Sequence, residues 1–195
     1  MKEYLQSSEY IDIDNEEIKA LANQLAENTK DDTEIAQRCF EWVRDNIKHS
    51  WDYKLNPVTC KASDVLKHGT GYCYAKSHLL AALLRANNIP AGLCYQRLSI
   101  NDDGAPYSLH GLNAVYLKGY GWYRVDARGN KETVDAQFTP PVEQLAFPIN
   151  EANERDYQDI LAEPLDVVVQ ALTTLNTVEE VFNHLPDLKN PDQLN

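Results

Sequence analysis

Gly69-Thr70-Gly71-Tyr72-Cys73-Tyr74-Ala75-Lys76-Ser77-His78-Leu79-Leu80-Ala81-Ala82-Leu83-Leu84-Arg85 decides how the rest of the chain is read. Two glycines precede a cysteine, and the cysteine leads into leucines and alanines at helical density. Asn87-Asn88-Ile89-Pro90 ends the pattern, because Asn tolerates a left-handed exit and Pro cannot continue a helix. A thiol in the first turn of such a helix sits among unpaired backbone N–H groups and at the positive end of the helix dipole. Both favour thiolate, the nucleophilic form. The plainer alternative is a buried structural cysteine, the commoner fate of a free thiol.

On either side the chain reads as helices before this stretch and strands after it. Asp14 or Asn15 caps a helix with Ile18, Leu21, Ala22 and Leu25 at helical spacing. Asp32 or Thr33 caps a second, whose stripe is Ile35, Cys39, Trp42, Val43 and Ile47. Lys48-His49-Ser50-Trp51-Asp52-Tyr53 reads as extended and aromatic, and residues 61–68 as a short helix. After Pro90, residues 91–98 alternate as a strand, Asn101-Asp102-Asp103-Gly104 is a turn, and residues 110–117 and 122–126 form a β-hairpin around Lys118–Tyr120. A three-residue loop sets Asp126 opposite Leu112, on the face of His110 and diagonal to it, about 7–8 Å between Cβ atoms. A two-residue loop would turn the carboxylate to the other face. Pro164 opens a last long helix with Leu165, Val168, Val169, Leu172 and Leu175 in its stripe; a shorter helix follows around 177–185, and the tail from Pro186 reads as frayed.

Composition narrows the function. The 195 residues carry 18 Lys+Arg against 30 Asp+Glu, a formal charge of −12, which argues against nucleic-acid binding. No stretch has the length of a signal peptide core or a membrane span, so the expected compartment is the cytoplasm, with reduced thiols. Cys39, Cys60, Cys73 and Cys94 form no close pair, so neither a zinc knuckle nor a redox CxxC is expected, and no metal or cofactor is called for. Cys39 reads as core, Cys94 as a strand residue, and Cys60 as an exposed loop thiol available for regulation. His78 falls on another helix face than Cys73, and His49 and His68 rank below His110 as loop histidines near the site entrance.

The segments Ala62-Ser63-Asp64-Val65-Leu66, Gly69 to Cys73, Leu79 to Arg85, and Asn88-Ile89-Pro90-Ala91 together resemble the nucleophile region of the transglutaminase-like superfamily. His110-Gly111-Leu112-Asn113-Ala114-Val115-Tyr116-Leu117 and Gly121-Trp122-Tyr123-Arg124-Val125-Asp126-Ala127 resemble its histidine and aspartate strands. The likeness spans about residues 35–130, in the order Cys, His, Asp, and points to the protease-like branch. Two departures stand out: Gly111-Leu112 where the family often has Ala-Trp, and Asp126-Ala127-Arg128 where Asp-Pro-Thr is usual.

The resemblance implies an α+β fold with a papain-like core, the Cys helix packed on an antiparallel sheet, with extra N- and C-terminal helices. One domain over 1–195 is expected, its core about 33–135, with 136–195 a helical extension placed to wall or lid the cleft. The implied chemistry is acyl transfer on amide or peptide bonds: Cys73 attacks, His110 protonates the leaving nitrogen, Asp126 orients His110, and a thioester forms. The oxyanion is met by the Cys73 N–H and a second donor, for which Trp51, Tyr53 and Tyr72 are candidates. Expected partners are a protein or peptide substrate or a small amide, with no nucleic acid, no membrane and an unspecified oligomeric state. Hydrolysis ranks above cross-linking, because choosing an amine over water needs a dry site. A catalytically silent peptide-binding module is the alternative, and a redox pair of Cys73 with Cys60 a third.

Overall fold

The computed structural model describes residues 1–101 and 103–189. A 3-10 turn at Glu3–Leu5 precedes α1 (Glu16–Leu25) and α2 (Asp32–Asn46). Asn15 caps α1 by accepting from the Glu17 and Ile18 N–H groups, and Asp31 caps α2 by accepting from Thr33. The second cap lies one residue ahead of the expected pair. A two-residue strand β1 (Lys48–His49), a one-turn helix α3 (Ser50–Tyr53), α4 (Ala62–His68) and β2 (Thr70–Gly71) lead into α5 (Cys73–Ala86). The segment expected to be extended is therefore a parallel β1–β2 contact followed by a helical turn. Lys54 ends that turn in the left-handed region, at φ 53°.

Every residue of α5 from Cys73 to Arg85 is buried. A helix apolar nearly all round belongs in the middle of a core, and α5 is wrapped by α1, α2 and α4 while lying on the sheet. Fully burying a leucine such as Leu79, Leu80, Leu83 or Leu84 contributes about 1.5–3 kcal/mol each before chain entropy is counted. Two basic side chains share this interior because their donors find carbonyls. Arg85 donates to Ala91, Gln6 and Ala162, and Lys76 to Arg44 and Ile47 at the end of α2. Asn88 leaves the helix at φ 59°, the exit expected of Asn.

The sheet is antiparallel in the order β5-β4-β3-β6, with β3 at Ala91–Ser99, β4 at Tyr107–Leu117, β5 at Gly121–Val125 and β6 at Arg155–Asp156. The β4–β5 register pairs Leu117 with Gly121 and Asn113 with Val125, so the hairpin loop has three residues. Of the turn read at 101–104, Asp102 lies outside the described residues. Helices α6 (Asp166–Thr174) and α7 (Val178–Asn183) close the chain, α7 with a capping box between Thr177 and Glu180. The tail read as frayed is anchored through 188: the Arg97 guanidinium grips Asp187 at 2.6 and 2.8 Å, and Leu188 is buried. Its last six residues lie outside the described ones. Among the described residues no helix is long and apolar enough to cross a membrane.

Candidate active site

Cys73 is the first residue of α5, following Tyr72 at the cap position. No side chain caps this end, so the first backbone N–H groups have no partner within the helix. Gly111 lets β4 approach it. A Cβ there would lie 3.0 Å from Tyr74 Cα and Cδ1 and 3.2 Å from Tyr74 N, and with only hydrogen in place the Gly111 N–H reaches the Cys73 sulfur at 3.4 Å. This accounts for the missing alanine after His110. Cys73 is 7% exposed and His110 6%, and both residues line a cavity of about 440 Å³.

His110 donates from Nε2 to Asp126 Oδ2 at 2.7 Å, which leaves Nδ1 for the Cys73 side chain. Asp126 is fully buried and carries no proline after it, yet three donors fix its carboxylate. Arg128 N–H reaches Oδ1 at 3.1 Å, and Oδ2 takes Ala146 N–H at 3.1 Å beside the imidazole. Burial alone would lower the His110 pKa; the Asp126 charge and the neighbouring Cys73 sulfur outweigh it and raise the imidazole to about 10. Burial pushes the Asp126 carboxyl up, and the His110 charge with the hydrogen bonds brings it below its ordinary value. The aromatic absent at Leu112 is supplied from elsewhere: Phe147 packs edge-on against His110, with ring centres 5.0 Å apart.

The three candidates for the second oxyanion donor fare differently. Trp51 lines the cavity, stacked flat on Phe182 at 3.6 Å, with the Lys54 ammonium over its ring. Tyr72 also lines it, but its hydroxyl donates to the Val178 carbonyl at 2.6 Å. Tyr53 is not brought to the site: α3 turns it outward, 58% exposed, under the Lys48 ammonium.

Sequence reasoning passed over several neighbours. His49 is no entrance residue: β1 pairs it with Gly71, and its buried ring lines the cavity edge-on to Tyr72 at 5.5 Å. Burial holds it neutral, its pKa well below 6.5. Asp52 lies 3.7 Å from His49 and is gripped by Arg128 at 2.6 and 3.0 Å and by Lys131 at 3.2 Å; burial opposes its ionisation, but these cations bring the carboxyl to about 2. Arg128 is the residue that departs from the family's usual threonine. His68 is exposed and outside the cavity, and His78 is buried, bonded through Nδ1 to the Cys60 carbonyl at 2.8 Å. Cys60 is not an exposed thiol. It is 6% exposed, and burial pushes it up to about 12, as it does Cys39 and Cys94. Among the described residues no cluster of His, Cys, Asp and Glu is arranged to hold a metal ion.

The fold is similar to that of a candidate cysteine protease from Cytophaga hutchinsonii, at TM-score 0.50 and 22% identity over 64% of this chain and 40% of that one. The periplasmic domain of TgpA from Pseudomonas aeruginosa aligns at TM-score 0.47 and 19% identity, over 64% of this chain and 45% of that one. This chain thus spans less than half the length of either structure. No curated protein matches it. The sequence pattern of the transglutaminase-like superfamily covers residues 19–127, which takes in the Cys73 helix, the His110 strand and Asp126. With more than half of its length matched and its Cys73 helix seated on the antiparallel sheet of a papain-like core, the chain belongs to the transglutaminase-like superfamily.

Proposed function

We propose that this protein is a thiol-dependent acyl-transfer enzyme acting on amide bonds, hydrolysing them in preference to cross-linking. The observation that carries the reading is the buried His110–Asp126 contact of 2.7 Å beside Cys73, with Cys73 and His110 both lining the cavity. A raised His110 holds its proton at neutral pH, so it is an acid ready for the leaving nitrogen.

The steps follow from these positions. Cys73 sulfur attacks the amide carbon, and the carbonyl π pair moves to oxygen. The Cys73 N–H and the Trp51 indole N–H receive that oxyanion; among the described residues no hydrogen bond engages the indole. As the C–N bond breaks, His110 Nδ1 gives its proton to the departing amine, leaving a thioester. Neutral His110 then takes a proton from water as water attacks, thiolate leaves, and the acid and free enzyme result. Asp126 keeps Nε2 protonated throughout and favours the imidazolium. The two departures from the family pattern have counterparts that support this reading over a silent binding module: Phe147 packs on His110 where the neighbouring aromatic is missing, and backbone donors hold Asp126 where the proline is missing.

The test is turnover of a panel of fluorogenic amides and short peptide amides, with Cys73→Ala as control. Turnover lost in the variant, with a thioester adduct on Cys73 trapped in the native chain, supports the reading. Equal behaviour of both proteins, with binding unaltered, returns the chain to the binding-module alternative.

A further inference from the structure

A polypeptide crossing a Cys–His cleft is held mainly by main-chain hydrogen bonds, as a strand added to a sheet edge. The nearest edge here is that of β4 just ahead of His110, since β5 covers β4 only from Asn113 onward. That edge is taken. Leu109 sends its N–H to the Pro186 carbonyl at 2.7 Å, and its own carbonyl accepts the Tyr74 hydroxyl. Two residues on, the Gly111 N–H is on the Cys73 sulfur.

The segment that occupies the edge is itself fixed at several points. Val178 donates to Asn56 Oδ1 at 2.9 Å and accepts the Tyr72 hydroxyl. Phe182 lies flat on Trp51, and Phe182 and Leu185 form part of the cavity wall. Asp187 is forked by Arg97, and the Leu188 carbonyl accepts the Tyr157 hydroxyl. The cavity of about 440 Å³ falls toward the small end of the range for small-molecule sites, about 300–1,000 Å³.

Resting on the reading of Cys73 as the nucleophile, we propose that residues 178–188 are a fixed wall that closes the site along β4. Its substrates are then small amides or free chain ends, and the interior of a polypeptide is refused. Admitting an interior segment requires breaking the Leu109–Pro186 bond, the Arg97–Asp187 fork and the Trp51–Phe182 stack together.

The test uses the full chain and three thiol probes: iodoacetamide, a short peptide with an iodoacetyl group at its end, and a longer peptide with that group on a short central side chain. Rates at Cys73 are read by mass spectrometry at about pH 9, where an ordinary thiol of pKa about 8.5 is mostly ionised, and are divided by each probe's rate with free cysteine. The central probe is expected to react at least about tenfold more slowly than the other two. Asp187→Ala and Phe182→Ala are each expected to narrow the gap between central and end probes, with the iodoacetamide rate unchanged in Asp187→Ala. Equal rates for end and central probes in the native chain overturn the proposal, as does discrimination that survives both substitutions. Failure of the nucleophile reading shows separately, as ordinary Cys73 reactivity toward iodoacetamide near pH 6, and the probe ratios still decide the wall.

Discussion

Asp126→Asn tests the electrostatics of the site with almost no change of shape. In the native chain Asp126 is fully buried and accepts from His110, Arg128 and Ala146. The amide keeps the volume and one acceptor but removes the charge that does most to raise His110 to about 10 against burial. An opposite charge in contact is worth about 1–3 pH units on its partner, so His110 in the variant is expected to titrate about one to three pH units lower. The sign for stability follows. A histidine near 6.5 in the unfolded chain and near 10 in the folded one stabilises fully below pH 6.5. That contribution fades as pH rises through about 10, and the variant lacks most of it. Turnover should fall by about 10²–10⁴-fold, the range for losing the partner that orients and charges a catalytic imidazole. The assay is NMR titration of histidine ring carbons, with His110 assigned by a His110→Gln spectrum, alongside kcat. A His110 titration within about half a pH unit of the native one would refute the claim that Asp126 sustains the imidazolium.

Three further outcomes are expected. Gly111→Ala forces a methyl against the Tyr74 backbone at 3.0 Å, costing about 1–3 kcal/mol in urea unfolding; because the helix start must move from β4, kcat should fall more than KM rises. Trp51→Phe keeps a ring to stack on Phe182 but deletes the indole N–H, so kcat should drop by about 10²-fold or more with stability little changed; full activity would remove Trp51 from the oxyanion role. Burial brings Lys76 down to about 7, below its unfolded value of about 10.5, so its ionisation opposes folding at low pH and that cost is relieved as pH rises between those values; Lys76→Met should flatten that part of a stability–pH curve.

What the sequence made legible was whatever carried a long period or a cap. The Cys73 helix, its Asn88 exit and the two N-terminal helices follow from residue spacing, with the cap position one residue off at α2, whereas spacing left two hairpin loops open and only the β4–β5 register selects the one that sets Asp126 near His110. What escaped was set by contacts between distant segments. Two-residue strands such as β1 and β2 have no period to read, so by spacing alone His49 is a loop residue and Trp51 part of an extended run. Phe147 takes the place of an aromatic expected next to His110 in sequence, and nothing in its local context signals that partner. The 186–188 segment looked frayed because proline and polar residues suggest it, while its anchors, Leu109, Arg97 and Tyr157, lie far back in the chain. Cys60 lies in a stretch without apolar periodicity, which reads as exposed, yet it is buried with its carbonyl bonded to the His78 ring of α5.

The central claim is that Cys73 is a nucleophile activated by its position, and the alkylation rate of each cysteine by iodoacetamide at about pH 6 reaches it most directly. At that pH an ordinary thiol of pKa about 8.5 is almost wholly protonated, and burial holds Cys39, Cys60 and Cys94 at about 12. The account predicts rapid modification of Cys73 alone, slowed strongly by His110→Ala. Modification of Cys73 no faster than a free thiol at that pH, or a rate indifferent to His110, would contradict it.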